Sequence, residues 1–146
     1  LSKPLCNTEK ERRAFALAAE HGLIVPEVIA WGESRRFGLP NTGVMAMLPM
    51  EGVPVDRFVV ETDNREKARA VIKQAEELLM RLQVCRLDWN VDCKPEHFFV
   101  LPDGTIGLID LERLAKRSKP LDKDYCEMQL QRFRSLLPKP FGNAEC

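Results

Sequence analysis

The sequence carries no excess charge of either sign: 22 lysines and arginines balance 22 aspartates and glutamates over 146 residues. Proteins that hold a nucleic-acid backbone normally show a strong basic surplus, so a nucleic-acid partner is not expected. A small anionic ligand remains open, because a few convergent donors suffice for one. No apolar run approaches the roughly 20 residues of a membrane span, and no secretory leader opens the chain. C-x-x-C spacing is missing as well. The five cysteines, Cys6, Cys85, Cys93, Cys126 and Cys146, are an odd number, which argues against both a disulfide framework and structural zinc. Free thiols in a reducing compartment are the expectation. Only two histidines occur, His21 and His97, far apart in sequence, so a histidine-built zinc hydrolase centre is not expected. Repeats, low-complexity tracts and long linkers are lacking too.

What is present has the composition of an ordinary globular protein, 45% apolar and 30% charged. Thr8 and Glu11 form a candidate capping box for a helix over about 8–21, ended by Gly22. His21 there suits the negative end of the helix dipole. Val28–Gly32 and Val44–Leu48 read as strands separated by a polar loop over 34–42, and Met50–Pro54 as a connector. Asp63, with Glu66 three residues on, predicts the start of a long helix over about 64–84. Within it Ala68, Val71, Ile72, Ala75, Leu78, Leu79 and Leu82 recur at the helical period. His97–Leu101 and Thr105–Ile109 are apolar runs joined by the turn signal Pro102-Asp103-Gly104. A last helix is expected over about 122–137, from Asp122 to Pro138. This order predicts an α+β fold.

The chemistry is concentrated around that hairpin, in the run Asp92-Cys93-Lys94-Pro95-Glu96-His97 and in Asp110 at the end of the second apolar run. A short hairpin brings the ends of its strands together, so these residues become neighbours. Phosphoryl transfer asks a protein mainly to position groups and neutralise spreading negative charge. Asp92 is placed to orient an acceptor hydroxyl and take its proton. Asp110 is placed to hold Mg²⁺, a hard ion that prefers oxygen, and Lys94 to bring a point charge to a phosphate. His97 could offer an unprotonated ring nitrogen to the metal, or hydrogen-bond to Asp92 and hold the loop.

These residues and their intervals resemble the catalytic and metal-binding loops of the bacterial lipopolysaccharide kinase family, the heptose and Kdo kinases and their relatives, which are protein-kinase-like. The resemblance is strongest over 89–113, where Trp89, Asp92-Cys93, His97-Phe98 and Ile109-Asp110-Leu111 with Arg113 look like hallmark segments. It implies ATP and Mg²⁺ as cofactors, with His97 and Asp110 as the metal pair and Asp92 and Lys94 as the catalytic residues. The substrate implied is a sugar or other small-molecule hydroxyl, most specifically a lipopolysaccharide core sugar. Glu11 would lie on the equivalent of the kinase helix C and pair with an ATP-anchoring lysine. Nucleotide contacts would thus come from Glu11, Lys94, His97 and Asp110. Lys123-Asp124 resembles a pair beyond the metal-binding loop. The fold implied is a partial N-terminal lobe over 1–50 (helix C and two strands) and a shortened, mostly helical C-terminal lobe over 51–146.

Asn90-Val91 stands where the family carries His-Arg or His-Gly, and no glycine-rich strand pair precedes the first helix. Lys3 lies only eight residues before Glu11, close for an anchoring lysine, and Leu1 is not an initiator methionine. The expectation is therefore further sequence upstream and little turnover by these 146 residues alone. The alternative reading is a pseudokinase serving as a scaffold or regulator. The expected location is the cytoplasm. Arg113, Lys116, Arg117 and Lys119 add the option of peripheral contact with the inner face of the inner membrane.

Overall fold

The longest apolar period of the sequence becomes the longest element. A computed structural model describes residues 4–142; Lys3 and Cys146 lie outside the described residues. Helix α3 spans Arg65–Val84 and buries Ala68, Val71, Ala75, Leu79 and Leu82 on one side. Burying a leucine of this kind contributes about 1.5–3 kcal/mol before entropic costs. Its cap is Asn64, whose side chain accepts from the Lys67 amide at 3.0 Å, not Asp63 as expected. The two are adjacent and equally able to cap, and the chain direction at Asn64 decides.

Helix α1 spans Asn7–Glu20, and here the expected capping box does not form. Cys6 is the cap, its sulfur accepting from the Glu9 amide at 3.3 Å. Thr8 is used for packing: a Cβ added at Gly43 would lie 2.2 Å from the Thr8 hydroxyl oxygen. The absence of a side chain at Gly43 therefore lets α1 lie directly on the following hairpin. Glu9, only 6% exposed, is held by Arg12 and Arg13, each with its Nε at 2.7 Å. The Arg12 hydrogen bond outweighs the opposing effect of burial, and Arg13 adds to it, so the carboxyl falls from an ordinary 4.5 to about 2. A depressed folded-state pKa gives stability that is present above the unfolded value and lost as pH falls through the folded one. Glu9→Gln should therefore lower the urea midpoint near neutral pH, and the difference from the native protein should shrink as pH falls from 4.5 towards 2. A pH-independent difference would rule out the ion pairs as its source.

Strands β1, Val28–Arg36, and β2, Leu39–Met47, form an antiparallel hairpin that absorbs the loop expected over 34–42. Its turn is Phe37-Gly38, with φ of 52° and 79°, the left-handed pair that joins twisted strands tightly. Polarity misled because most of this hairpin faces solvent on both sides, so no alternation marks it. The connector expected over Met50–Pro54 ends in a short strand, β3, Val53–Pro54, which leads into a helix that was not expected, α2, Val55–Glu61. Strands β4, Leu87–Asp88, β5, Phe98–Val100, β6, Ile106–Leu108, and β7, Ala115–Lys116, follow, and helix α4 spans Lys123–Ser135. They pair in the order β3-β5-β6 and, separately, β4-β7. Asp122 caps α4 by accepting from the Asp124 amide at 2.9 Å, as the sequence suggested.

One core serves the whole described chain: Ala14, Phe15 and Ala18 of α1 belong to the same buried cluster as Leu79, Trp89, Phe98 and Phe133. The segment after α1 is also stitched to the second half through its backbone. Ile24 pairs with Gly107 and its carbonyl accepts from the Leu108 amide at 2.8 Å. Arg81 donates to the His21 carbonyl at 2.7 Å, and Lys116 Nζ lies 3.0 Å from His21 Nε2.

Candidate active site

The loop from Trp89 to His97 consists of two single turns of 3-10 helix, Asn90–Asp92 and Pro95–His97. Asn90 and Asp110 both adopt left-handed backbone, with φ of 56° and 55°. Such conformations are costly for residues other than glycine and persist only where the surroundings impose them. The imposing contacts can be named. The Trp89 indole donates to the Asp110 carbonyl at 3.0 Å, and the Ile109 amide donates to the His97 carbonyl at 3.0 Å. These two bonds draw the end of β6 against the loop. Trp89 is fully buried and packs on His97 and Phe98, with centroids 5.9 and 5.3 Å away.

His97 takes the loop-holding role through one ring nitrogen and leaves the other facing two carboxylates. Nδ1 lies 2.7 Å from the Asp92 carbonyl oxygen, and a carbonyl only accepts, so Nδ1 carries the proton of that bond. Nε2 faces Asp110 Oδ2 at 3.3 Å and Glu96 Oε1 at 3.5 Å. In the neutral ring Nε2 is then an acceptor among acceptors, an arrangement that a cation would relieve. Lys94 Nζ lies 3.6 Å from the same Glu96 oxygen. The Asp92 carboxylate is met by Arg113, Nε to Oδ2 3.3 Å. Glu11, half-buried on α1, completes the group. Its carboxyl is raised by burial first and then by the negative charges of Asp110 and Glu112. Asp92, Lys94, His97, Asp110 and Glu11 therefore fall in one region.

Mg²⁺ commonly takes one or two protein ligands and completes its shell with water and phosphate oxygens. Asp110 fits that pattern, with His97 Nε2 beside it. Among the described residues no group of three or more His, Cys, Asp and Glu side chains is arranged to hold a metal by itself. No base among the described residues pairs with Glu11 in a hydrogen bond or salt bridge. Lys123 and Asp124 remain exposed at the start of α4, where the Asp124 amide is engaged in the cap.

Sequence reasoning missed the residue that anchors the loop. Asp88 is 3% exposed and its carboxylate accepts from the Asn90 amide at 2.8 Å, Arg117 Nε at 2.8 Å, the Tyr125 hydroxyl at 3.0 Å and the Gln129 amide at 3.2 Å. Burial alone would raise this carboxyl, but the Asn90, Arg117 and Tyr125 donors together outweigh it and hold the group below its ordinary range. Burial, reinforced by the bond to Asp88, pushes Tyr125 up to about 12. Gln129 also donates to the Asn90 carbonyl at 2.9 Å, and Arg132 to the Val91 carbonyl at 2.7 Å. Helix α4 thus grips the loop at Asn90 and Val91 through its backbone. Cys93 is fully buried beneath it, and burial pushes its thiol up to about 11. The only sequence signal for Asp88 was a charged residue directly before a tryptophan in the loop.

Three of the four cations suggested for membrane contact are engaged within the protein: Arg113 by Asp92, Arg117 by Asp88, and Lys116 by the Cys85 carbonyl at 2.8 Å. No helix among the described residues is long and apolar enough to cross a membrane.

Among solved structures the fold matches a chain described as WaaP in complex with acyl carrier protein, with a TM-score of 0.68 and 17% identity. The alignment covers 86% of the present chain and 56% of that one, so the chain spans little more than half the length of its structural relative. The likeness establishes the fold, a mixed α/β arrangement that is a partial protein-kinase-like fold. No family model matches the sequence, and neither does any curated protein.

Proposed function

We propose that this chain belongs to the lipopolysaccharide kinase family and supplies the catalytic loop of an ATP- and Mg²⁺-dependent phosphotransferase acting on a hydroxyl, with a core sugar of lipopolysaccharide as acceptor. A kinase-like function in general is what the shared fold supports; the reaction and acceptor are our reading. The observation that carries it is the opposition of His97 Nε2 and Asp110 Oδ2 at 3.3 Å, with Asp92 on the adjoining turn.

In this reading Asp92 accepts the proton of the acceptor hydroxyl, and Arg113 fixes the direction in which its carboxylate points. Lys94 reaches the transferred phosphate, which offers it a stronger anionic partner than the exposed Glu96. Asp110 and His97 would hold Mg²⁺, which when bound neutralises charge on the phosphate oxygens. The His97 Nδ1 bond to the Asp92 carbonyl keeps Nε2 aimed at that position. Glu11 awaits a cation: with a lysine beside it, the repulsion from Asp110 and Glu112 would be offset and its carboxyl would return towards the ordinary range. ATP dependence places the work in the cytoplasm.

Titration with a non-hydrolysable ATP analogue tests the site. Native protein should bind it in a Mg²⁺-dependent manner, and Asp110→Ala should weaken that binding by roughly tenfold or more while leaving the metal-free signal unchanged. Equal binding by the two proteins, with or without Mg²⁺, would remove Asp110 from the site. A second reading, a scaffold that does not turn over, is favoured by Asn90-Val91, which supplies neither an imidazole nor a charge before Asp92. Mg²⁺-dependent analogue binding without phosphate transfer to any saccharide would support it.

A further inference from the structure

Trp89 touches both of the residues read above as the metal pair. Its ring packs against the His97 imidazole, and its indole Nε1 donates to the Asp110 carbonyl at 3.0 Å. The tryptophan is 0% exposed, so its N–H cannot turn to water and needs that acceptor. Asp110 is correspondingly divided. Its carbonyl is held inward by the indole, while its side chain, 49% exposed, reaches out to His97 Nε2. The left-handed φ of 55° joins the two directions, and such a backbone carries strain in an aspartate. Strand β6 has already ended at Leu108, and the Ile109 amide is spent on the His97 carbonyl. Sheet pairing therefore stops short of Asp110, and the indole takes over at that position.

We propose that Trp89 is a positioning residue for the metal site: its indole N–H, by fixing the Asp110 carbonyl, aims the Asp110 carboxylate at His97 Nε2. This rests on the reading of Asp110 and His97 as the residues that hold Mg²⁺. Outer groups of this kind set the direction of a ligand without touching the metal themselves. With the bond lost, Asp110 is free to relax to negative φ. That rotation about its N–Cα bond swings Cβ and the carboxylate away from the imidazole. The ring of Trp89 meanwhile backs His97, so one side chain governs the separation of the pair from both ends. Asn90-Val91 offers no imidazole to brace the loop. The buried ring one residue earlier ties the loop to the metal-facing turn instead.

The test replaces Trp89 in the full chain by benzothienylalanine, which keeps the shape of the indole and carries sulfur in place of the N–H. The Mg²⁺ concentration for half-maximal binding of the non-hydrolysable ATP analogue should rise by roughly 10–100-fold. Metal-free binding of the analogue should stay at the native level. Trp89→Phe, which also keeps a ring and lacks the donor, should show the same split. A residue that only filled the core would weaken both kinds of binding together. Without nucleotide, nuclear magnetic resonance of the benzothienylalanine protein should show the Asp110 carbonyl carbon shifted, with the circular dichroism of the native fold. An unmoved Asp110 signal, a native Mg²⁺ dependence, or equal losses with and without metal would each overturn the proposal. Analogue binding by the native chain that ignores Mg²⁺ and is unchanged by Asp110→Ala would instead overturn the site reading beneath it.

Discussion

Replacing Asp88 by alanine should destabilise the protein by about 1–3 kcal/mol, the cost of leaving a buried donor without its acceptor. The loss falls mainly on the Asn90 amide, the Tyr125 hydroxyl and the buried Gln129 amide, which point at one carboxylate that is 3% exposed, while the half-exposed Arg117 guanidinium can turn to water. Asp88→Asn, with the same shape but no charge, should lose less, because its oxygen still accepts while the pairing with Arg117 weakens. The effect carries a pH signature. The folded-state pKa lies below its ordinary 3.8, so the contribution is complete above that value and declines as pH falls through the lower folded one. Urea unfolding near neutral pH and in acid measures both. A change within about 0.5 kcal/mol for Asp88→Ala, typical of surface sites, would mean that the network does not hold the loop.

Asp92→Asn should lower phosphate transfer by roughly 10²–10⁴-fold, the usual worth of a positioned general base. Binding of the ATP analogue should remain, since the asparagine oxygen can still meet Arg113 and the proposed metal ligands His97 and Asp110 are untouched. The assay is transfer of phosphate to a core saccharide, made on the protein as its gene expresses it. Unchanged turnover, or a loss of nucleotide binding equal to the loss of turnover, would take the base role from Asp92.

Both predictions concern a loop of which one half was legible and the other was not. Asp92, His97 and Asp110 could be placed together from sequence because the hairpin between them is local: two apolar runs and a Pro-Asp-Gly turn dictate the return of the chain. Asp88 could not be placed, because its partners Arg117, Tyr125 and Gln129 lie 29, 37 and 41 residues away and no periodicity encodes that meeting. Helix α3 was legible from its regular apolar spacing. The β1–β2 hairpin was only half legible, since a ribbon wet on both faces has the composition of a loop, and a left-handed phenylalanine is a turn signal no pattern offers. At α1 the obvious capping threonine was wrong because Gly43 gave it something to pack against. The cysteine before it took over the cap.

The stitch between Ile24 and β6 has a mechanical consequence. The Leu108 amide that bonds the Ile24 carbonyl ends β6, two residues before Asp110. A tilt of α1 would therefore be passed, through the segment that follows it, to the stretch of backbone that leads from β6 to Asp110. Helix and carboxylate move as lever and load, so a force applied to the solvent-facing hairpin resting on α1 would be transmitted to the geometry at Asp110.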